Sequence, residues 1–388
     1  MDAEHIAWSS DTAQAGWIGP RLSLFGSGVV TSVIPSGFDA YARLLHPANG
    51  RGGAPVRWAD VAAWSGVPLE RDGQFADVAV PQHRPATPSP AAGGRPEEGS
   101  LESADAAALV DVLEAHTKAG ARCWFCLWEG FGWIGGQGVA MLMATMPRRG
   151  RRWRRSRRRP GLPIPFGRGN RLVLPMFRGR TARRARPAAY LGPSVYTGPT
   201  PEFVPTGPVP AAAFAGPRVE LPNRNYLLYS GGVSGALALV ASERQTPNLW
   251  WPADRAWCVA TEIDLPWTYV GGSAELIDAI LADPRLEAMP VEAEDSHWSR
   301  VPAWVDERAE AAARELLAHG RATALTDWGT VEARLRRPRR WRDGELTIGG
   351  PGRSGWTRID RRSEADLHRN VHDSIADAIV DTALDAGS

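Results

Sequence analysis

Between Arg148 and Arg186 the chain carries sixteen arginines, and no acidic residue lies between Glu129 and Glu202. A compact core cannot absorb that much charge of one sign, because each buried cation needs a partner. The flanks "PGLPIPFGRGN" and "GPSVYTGPTPEFVPTGPVPAAAFAGP" are rich in proline and glycine, which disfavour regular helices and central strands. The sequence therefore predicts a disordered Arg/Pro/Gly-rich insertion or linker over 147–217. It separates an N-terminal α+β part, 1–146, from a C-terminal α+β part, 218–388, and the two can share one core.

The formal net charge is +2, so removing the sixteen arginines leaves −14 on the remainder. Lys118 is the sole lysine among 45 basic residues, a bias expected of a high-GC bacterial genome. That scarcity excludes a GxxxxGK[ST] phosphate loop, whose lysine must close a glycine-rich turn. Schiff-base chemistry could rest only on Lys118, whose surroundings do not suggest desolvation. Cys123, Cys126 and Cys258 are too few for a four-cysteine zinc site and odd in number for a disulfide framework. The start "MDAEHIAWSS" lacks a basic n-region and an apolar h-region, so a cytoplasmic location is expected. The apolar stretch 123–146 is interrupted by Glu129 and Gln137, and no membrane span is expected there.

Periodicity and punctuation predict the elements. "RLSLFGSGVVTSVI" reads as extended chain broken by glycine. Ser36 reads as the cap of a helix "GFDAYARLLH", with Phe38, Tyr41, Leu44 and Leu45 on one face. "RWADVAAWSG" predicts a helix stopped at Gly66, and "SADAAALVDVLEAHT" one capped by Ser103. "RCWFCLW", "NYLLYS" and "RAWCVATEIDL" read as strands. Ser273 should cap "AELIDAILA". "PAWVDERAEAAARELLAHG" should be a helix ending at Gly320, and Asp327–Gly329 the turn of a hairpin. "GELTI" and "WTRID" add strands before a last helix, about 364–386, with Leu367, Val371, Ile375 and Ile379 inward. Clustered strands without β–α–β alternation predict α+β, mainly antiparallel sheet with packed amphipathic helices.

"NLWWPADRAWCVATEIDLPWTYVGGS", 248–273, holds four tryptophans. As a strand, its segment "WCVATEIDL" would send Trp257, Val259, Thr261, Ile263 and Leu265 to one face, and Cys258, Ala260, Glu262 and Asp264 to the other. Carboxylates at i and i+2 can share a cation or divide acid and base roles. Glu129, in "LWEGFGW", is a third such carboxylate. If the three converge, Trp128, Trp250, Trp251, Asp254 and Arg255 become candidate ligand-binding residues. His368 and His372, at i and i+4, have metal-chelating spacing, but they lack the glutamate of an HExxH motif. The turns Gly26–Gly28 and Gly271–Ser273 are candidate anion sites. Arg151, Arg152, Trp153, Arg154 and Arg155 are candidate nucleic-acid contacts. "CWFC" lacks the helix start that activates a redox CxxC, so its cysteines read as structural. No cofactor is implied.

"WWPADRAWCVATEIDLPWTYVGGS", "CWFCLWEGFGW" and "IPSGFDAYARLLHP" together resemble an uncharacterised protein family of high-GC bacteria, over most of the chain outside 147–217. That resemblance carries no activity or site residue. A fainter likeness, through "P-x-G-F" leading into a helix, is to SMI1/KNR4-type immunity proteins, and it implies fold alone. The expectation is a binding or interaction module, immunity-like or regulatory, whose acidic remainder suits a basic protein partner. The alternatives are a hydrolase or metal-dependent enzyme using Glu262 and Asp264, and nucleic-acid binding through 148–186.

Overall fold

The computed structural model describes residues 6–131, 134, 141–145, 171–175, 209–238, 245–296, 301–336, 344–350, 353–359 and 364–387. In chain order its first strands are β1 (Ala7–Trp8), β2 (Ala40–Leu45), β3 (Ala48–Asn49), β4 (Pro55–Val56), β5 (Cys123–Trp128), β6 (Met141–Thr145) and β7 (Arg171–Pro175). They are followed by β8 (Val219–Leu221), β9 (Arg224–Gly231), β10 (Leu249–Pro252), β11 (Cys258–Ala260), β12 (Trp267–Gly272) and β13 (Ala288–Val291). Last come β14 (Arg321–Thr326), β15 (Gly329–Arg336), β16 (Gly344–Gly350) and β17 (Arg353–Ile359). The helices are α1 (Trp58–Ser65), α2 (Phe75–Ala79), α3 (Ser103–Ala115), α4 (Ala211–Ala215), α5 (Ala274–Ala282), α6 (Ala303–His319) and α7 (Glu364–Gly387). Helices with antiparallel sheets make the protein α+β.

Two compact units divide the chain. The larger comprises Met1–Ile6, Gln14–Phe125 and Ser230–Ser388. Its main sheet runs from the first half of β5 through β10, β11, β12 and β2 to β13. N-terminal β2 thus lies between the C-terminal strands β12 and β13 and pairs antiparallel with both. One face carries α5 and α3, with Trp257 Nε1 donating to Thr117 Oγ1 at 2.9 Å just beyond α3. α1 and α2 cover the other face, where Trp58 meets Phe75 and Trp267 edge-on.

β2 overturns the helix expected at 37–46 with Ser36 as its cap. Five of its six residues are buried, so the strand has apolar side chains on both faces and loses the alternation that marks a half-exposed strand. Its start is fixed by Tyr41, whose hydroxyl donates to Pro35 O at 3.2 Å and accepts from the Phe38 amide at 3.2 Å. Gly37, at φ +93°, turns the chain into the strand. The expected extended chain over 21–34 contains no strand: it holds a 3-10 turn, Val30–Ser32, preceded by a single antiparallel bridge from Val29 to Ser296. Gly271 and Gly272 belong to β12 rather than to an anion-binding turn. A Cβ on Gly271 would lie 2.6 Å from Phe38 Cδ2, so glycine permits the close approach of that ring.

The remaining elements follow their punctuation. α1 and α6 stop at the left-handed residues Gly66 and Gly320, and Ser273 Oγ accepts from the Leu276 amide at 3.3 Å to cap α5. Capping of α3 by Ser103 is corrected, since the cap position is Glu102 and makes no side-chain bond. β14–β17 form a four-stranded antiparallel meander. α7 lays Leu367, Val371, Ile375 and Ile379, all buried, on the inner side of this module.

The smaller unit comprises Ala7–Ala13 and Cys126–Tyr229. β9 pairs with β8 across a turn at Asn223, which adopts φ +59°, a conformation asparagine tolerates. β6 pairs antiparallel with β7. Arg218 donates to the carbonyls of Ala213, Phe214 and Gly216, satisfying the end of α4. Of the expected insertion 147–217, only β7 and residues 209–217 are described. Among the described residues no helix is long and apolar enough to cross a membrane.

Candidate functional site

The strand expected over "RAWCVATEIDL" is shorter than its alternation suggests. β11 ends at Ala260 and is buried on both faces, so it has no solvent face for Glu262 and Asp264. Both lie in the connection to β12, where Glu262 Oε2 accepts the Asp264 amide at 2.8 Å. Trp250 and Trp251 are 0% and 1% exposed. Trp250 packs against Phe125 and Trp257, and Trp251 against Trp17. They are core, not ligand walls.

The other candidates are engaged locally. Asp254 pairs with Lys118 at 3.0 Å; burial is the largest single influence and raises its pKa, but this ammonium and the Ala256 amide together outweigh it and hold the carboxyl below the usual range. Arg255, at φ +59°, lies over the Trp17 ring at 5.5 Å. Glu129, in the smaller unit, accepts from Arg218 Nε at 2.7 Å and from Asn225 Nδ2 at 3.0 Å. Trp128 packs on Phe131 and under Arg224. His368 and His372 face α6 carboxylates, Glu310 at 3.3 Å and Asp306 at 3.1 Å. No group of three or more metal-ligating side chains occurs among the described residues. All three cysteines are buried, and burial pushes the Cys258 thiol well up. Arg151, Arg152, Trp153, Arg154 and Arg155 lie outside the described residues.

One candidate carboxylate does border a cavity. An open cleft of about 350 Å³ in the larger unit is lined by Asp264, Trp267, Phe75, Gln74, Arg95 and Glu98, with Gly26 and Gly28 also on its wall. Gly26 and Gly28, at φ +75° and +74°, supply backbone to this wall. Asp264 and Glu98 are exposed, whereas Trp267 and Phe75 are buried and form the apolar floor. Arg95 pairs with Asp381 of α7.

The turn bearing Asp264 is held from beneath by buried polar groups. Burial lowers the His46 pKa to about 4, so the ring is neutral near pH 7. Its Nδ1 lies 2.8 Å from Glu97 O, and a carbonyl only accepts, so Nδ1 carries the proton. Nε2 then accepts from Thr268 Oγ1 at 3.0 Å, and Thr268 in turn accepts from Thr261 Oγ1 at 2.7 Å. Three backbone bonds complete the anchor: Thr261 N to Asn248 O at 2.7 Å, Gly99 N to Leu265 O at 3.1 Å and His46 N to Pro266 O at 3.0 Å. Gly99 must be glycine here, since its φ is +81° and a Cβ would meet Ile263 O at 2.9 Å. The cleft rim is therefore pre-organised.

Behind the floor lies Arg43, 1% exposed. Its guanidinium sits 5.0 Å from the Trp267 ring and 6.0 Å from that of Trp58, and donates to Gly73 O at 3.0 Å. Burial lowers its pKa, opposed chiefly by the field of Tyr269. Sequence reasoning missed His46, Gln74, Arg43, Arg95 and Glu98. The lone histidine after an apolar run, "RLLHP", was the available signal.

No family model, curated protein or solved structure matches the chain. The motif behind the SMI1/KNR4 likeness leads into β2, a strand rather than a helix.

Proposed function

We propose that the protein is an interaction module that takes a cationic side chain of a basic partner protein into the Asp264–Glu98 cleft. The observation that carries this is the pairing of two exposed carboxylates with an aromatic floor at one open cleft. A carboxylate pair meets an ammonium or guanidinium, and Trp267 and Phe75 suit the apolar stem of arginine or lysine. The net −14 of the chain outside the arginine run favours encounter with a basic partner. Fixed by the His46–Thr268–Thr261 chain, the rim needs little ordering on binding.

The test is fluorescence titration with a labelled peptide of alternating arginine and leucine, against the same peptide with glutamate for arginine. Asp264→Asn with Glu98→Gln should weaken binding of the basic peptide by about three- to tenfold, as expected for two rim charges. Equal affinity for both peptides, or no loss in the double variant, would contradict the proposal.

A further inference from the structure

The turn between β10 and β11 is closed by the Arg255 amide, which donates to Pro252 O at 2.8 Å. Arg255 adopts φ +59° there, a left-handed conformation that glycine takes freely and a long side chain takes at a cost. Its guanidinium lies 5.5 Å from the centre of the Trp17 ring, and that of Arg21 lies 5.4 Å from the same centre. Arg122 adjoins the turn, its carbonyl accepting from the Ala253 amide at 2.8 Å. The Arg122 guanidinium lies 5.9 Å from the Trp124 ring. All of these residues belong to the larger unit.

Three exposed arginines thus gather around one turn, and among the described residues none of them has an acidic partner. The acid beside them, Asp254, is taken by Lys118 at 3.0 Å and by the Ala256 amide at 3.2 Å. Acids were not scarce, since the chain outside the arginine run is net −14. Stacking on an indole holds each guanidinium in place while leaving its N–H fork to other acceptors. Left-handed strain at a non-glycine residue is a cost that binding sites characteristically carry.

We infer that Arg21, Arg122 and Arg255 form an anion site for a small ligand bearing two adjacent phosphoryl groups. A planar guanidinium meets phosphate oxygens two at a time, and several such forks around one turn suit more than one phosphoryl group. Recognition is of the phosphates alone. Trp17 and Trp124 are 8% and 5% exposed, so neither ring offers a face on which a nucleic-acid base could stack. The patch shares no residue with the lining of the Asp264–Glu98 cleft, and neither proposal depends on the other.

Hydrogen–deuterium exchange on the full chain with added sodium pyrophosphate tests the inference, read locally so that binding elsewhere on the chain does not enter. Pyrophosphate should slow exchange at 19–22 and 252–256, and should do so at lower concentration than orthophosphate. Arg21→Gln with Arg255→Gly should raise the concentration for half-maximal protection at 252–256 by about tenfold, as expected on losing two charge-assisted contacts. A charge-matched control, Arg314→Gln with Arg369→Gln on α6 and α7, should change it by less than about twofold, since exposed charges at a distance are screened. Arg255→Gly alone should weaken protection while holding or raising Tm, because glycine relieves the left-handed strain. An arginine with a structural role only gives the reverse, a lower Tm with unchanged protection. That reverse result, no protection at 252–256 at saturating pyrophosphate, or equal loss in the control would overturn the inference. So would protection by oligo-dT or a phosphoserine peptide but not by pyrophosphate.

Discussion

His46 joins the fold to the cleft through one proton. Its Nδ1–H is spent on Glu97 O and its Nε2 lone pair on Thr268, so a second proton would place two donors where Thr268 needs an acceptor. Burial holds its folded pKa at about 4, against 6.5 for a free imidazole. The unfolded chain therefore binds more protons between those values, and stability falls as pH drops from about 6.5 to about 4. The full effect is about 3 kcal/mol, at 1.36 kcal/mol per pH unit. Urea denaturation at pH 7 and pH 4.5 should show most of that loss in the wild type and a smaller one in His46→Gln. An equal slope in both would remove His46 from the account.

Gly271 makes a second prediction at this scale. A methyl group there would press on Phe38 and Tyr41, so Gly271→Ala should cost about 1–3 kcal/mol, the usual range for overpacking. Thermal unfolding measures it. Arg43 behaves differently, because it is a buried cation held by two tryptophan faces and one carbonyl. Arg43→Met keeps the length and drops the desolvated charge, so its stability should lie within about 1 kcal/mol of wild type.

At the scale of elements, α6 and α7 are tied by two histidine–carboxylate contacts one turn apart, His368–Glu310 and His372–Asp306. Burial pushes the His372 pKa down, but Asp373 and Asp306 outweigh it and hold it above the usual histidine value. Its contribution is fully present below about pH 6.5 and is lost as pH rises through the raised folded value. His372→Gln should therefore reduce stability at pH 6 more than at pH 8.5, the opposite sense to His46. A larger loss at the higher pH would contradict the pairing.

Elements with explicit punctuation were legible: Ser273, Gly66 and Gly320 mark α5, α1 and α6 where the chain starts or stops. β2 was not, because "AYARLL" has good helix formers at helical spacing and is buried on both faces as a strand. "WCVATEIDL" failed for a related reason. Its alternation continues past the point where β11 ends, so period two alone carried Glu262 and Asp264 onto a strand that stops at Ala260.

For the whole molecule, the basic run at 148–186 separates in sequence segments that pair in space, since β2 lies between β12 and β13. The cleft collects Gly26, Gln74, Arg95, Asp264 and Leu384, which no local pattern links. Asp264 was singled out as one of a strand pair, yet it borders the cleft from a turn, and its companion there is Glu98 rather than Glu262. The aromatic floor was legible as aromatic but not as a floor, because burial of Trp250 and Trp251 and cleft contact of Trp267 depend on long-range pairing.

Hydrogen–deuterium exchange with and without the arginine–leucine peptide tests the central claim most directly. Exchange should slow at 95–98 and 262–267 and stay unchanged at β14–β17. Protection elsewhere, with 262–267 unaffected at saturating peptide, would contradict recognition through the cleft.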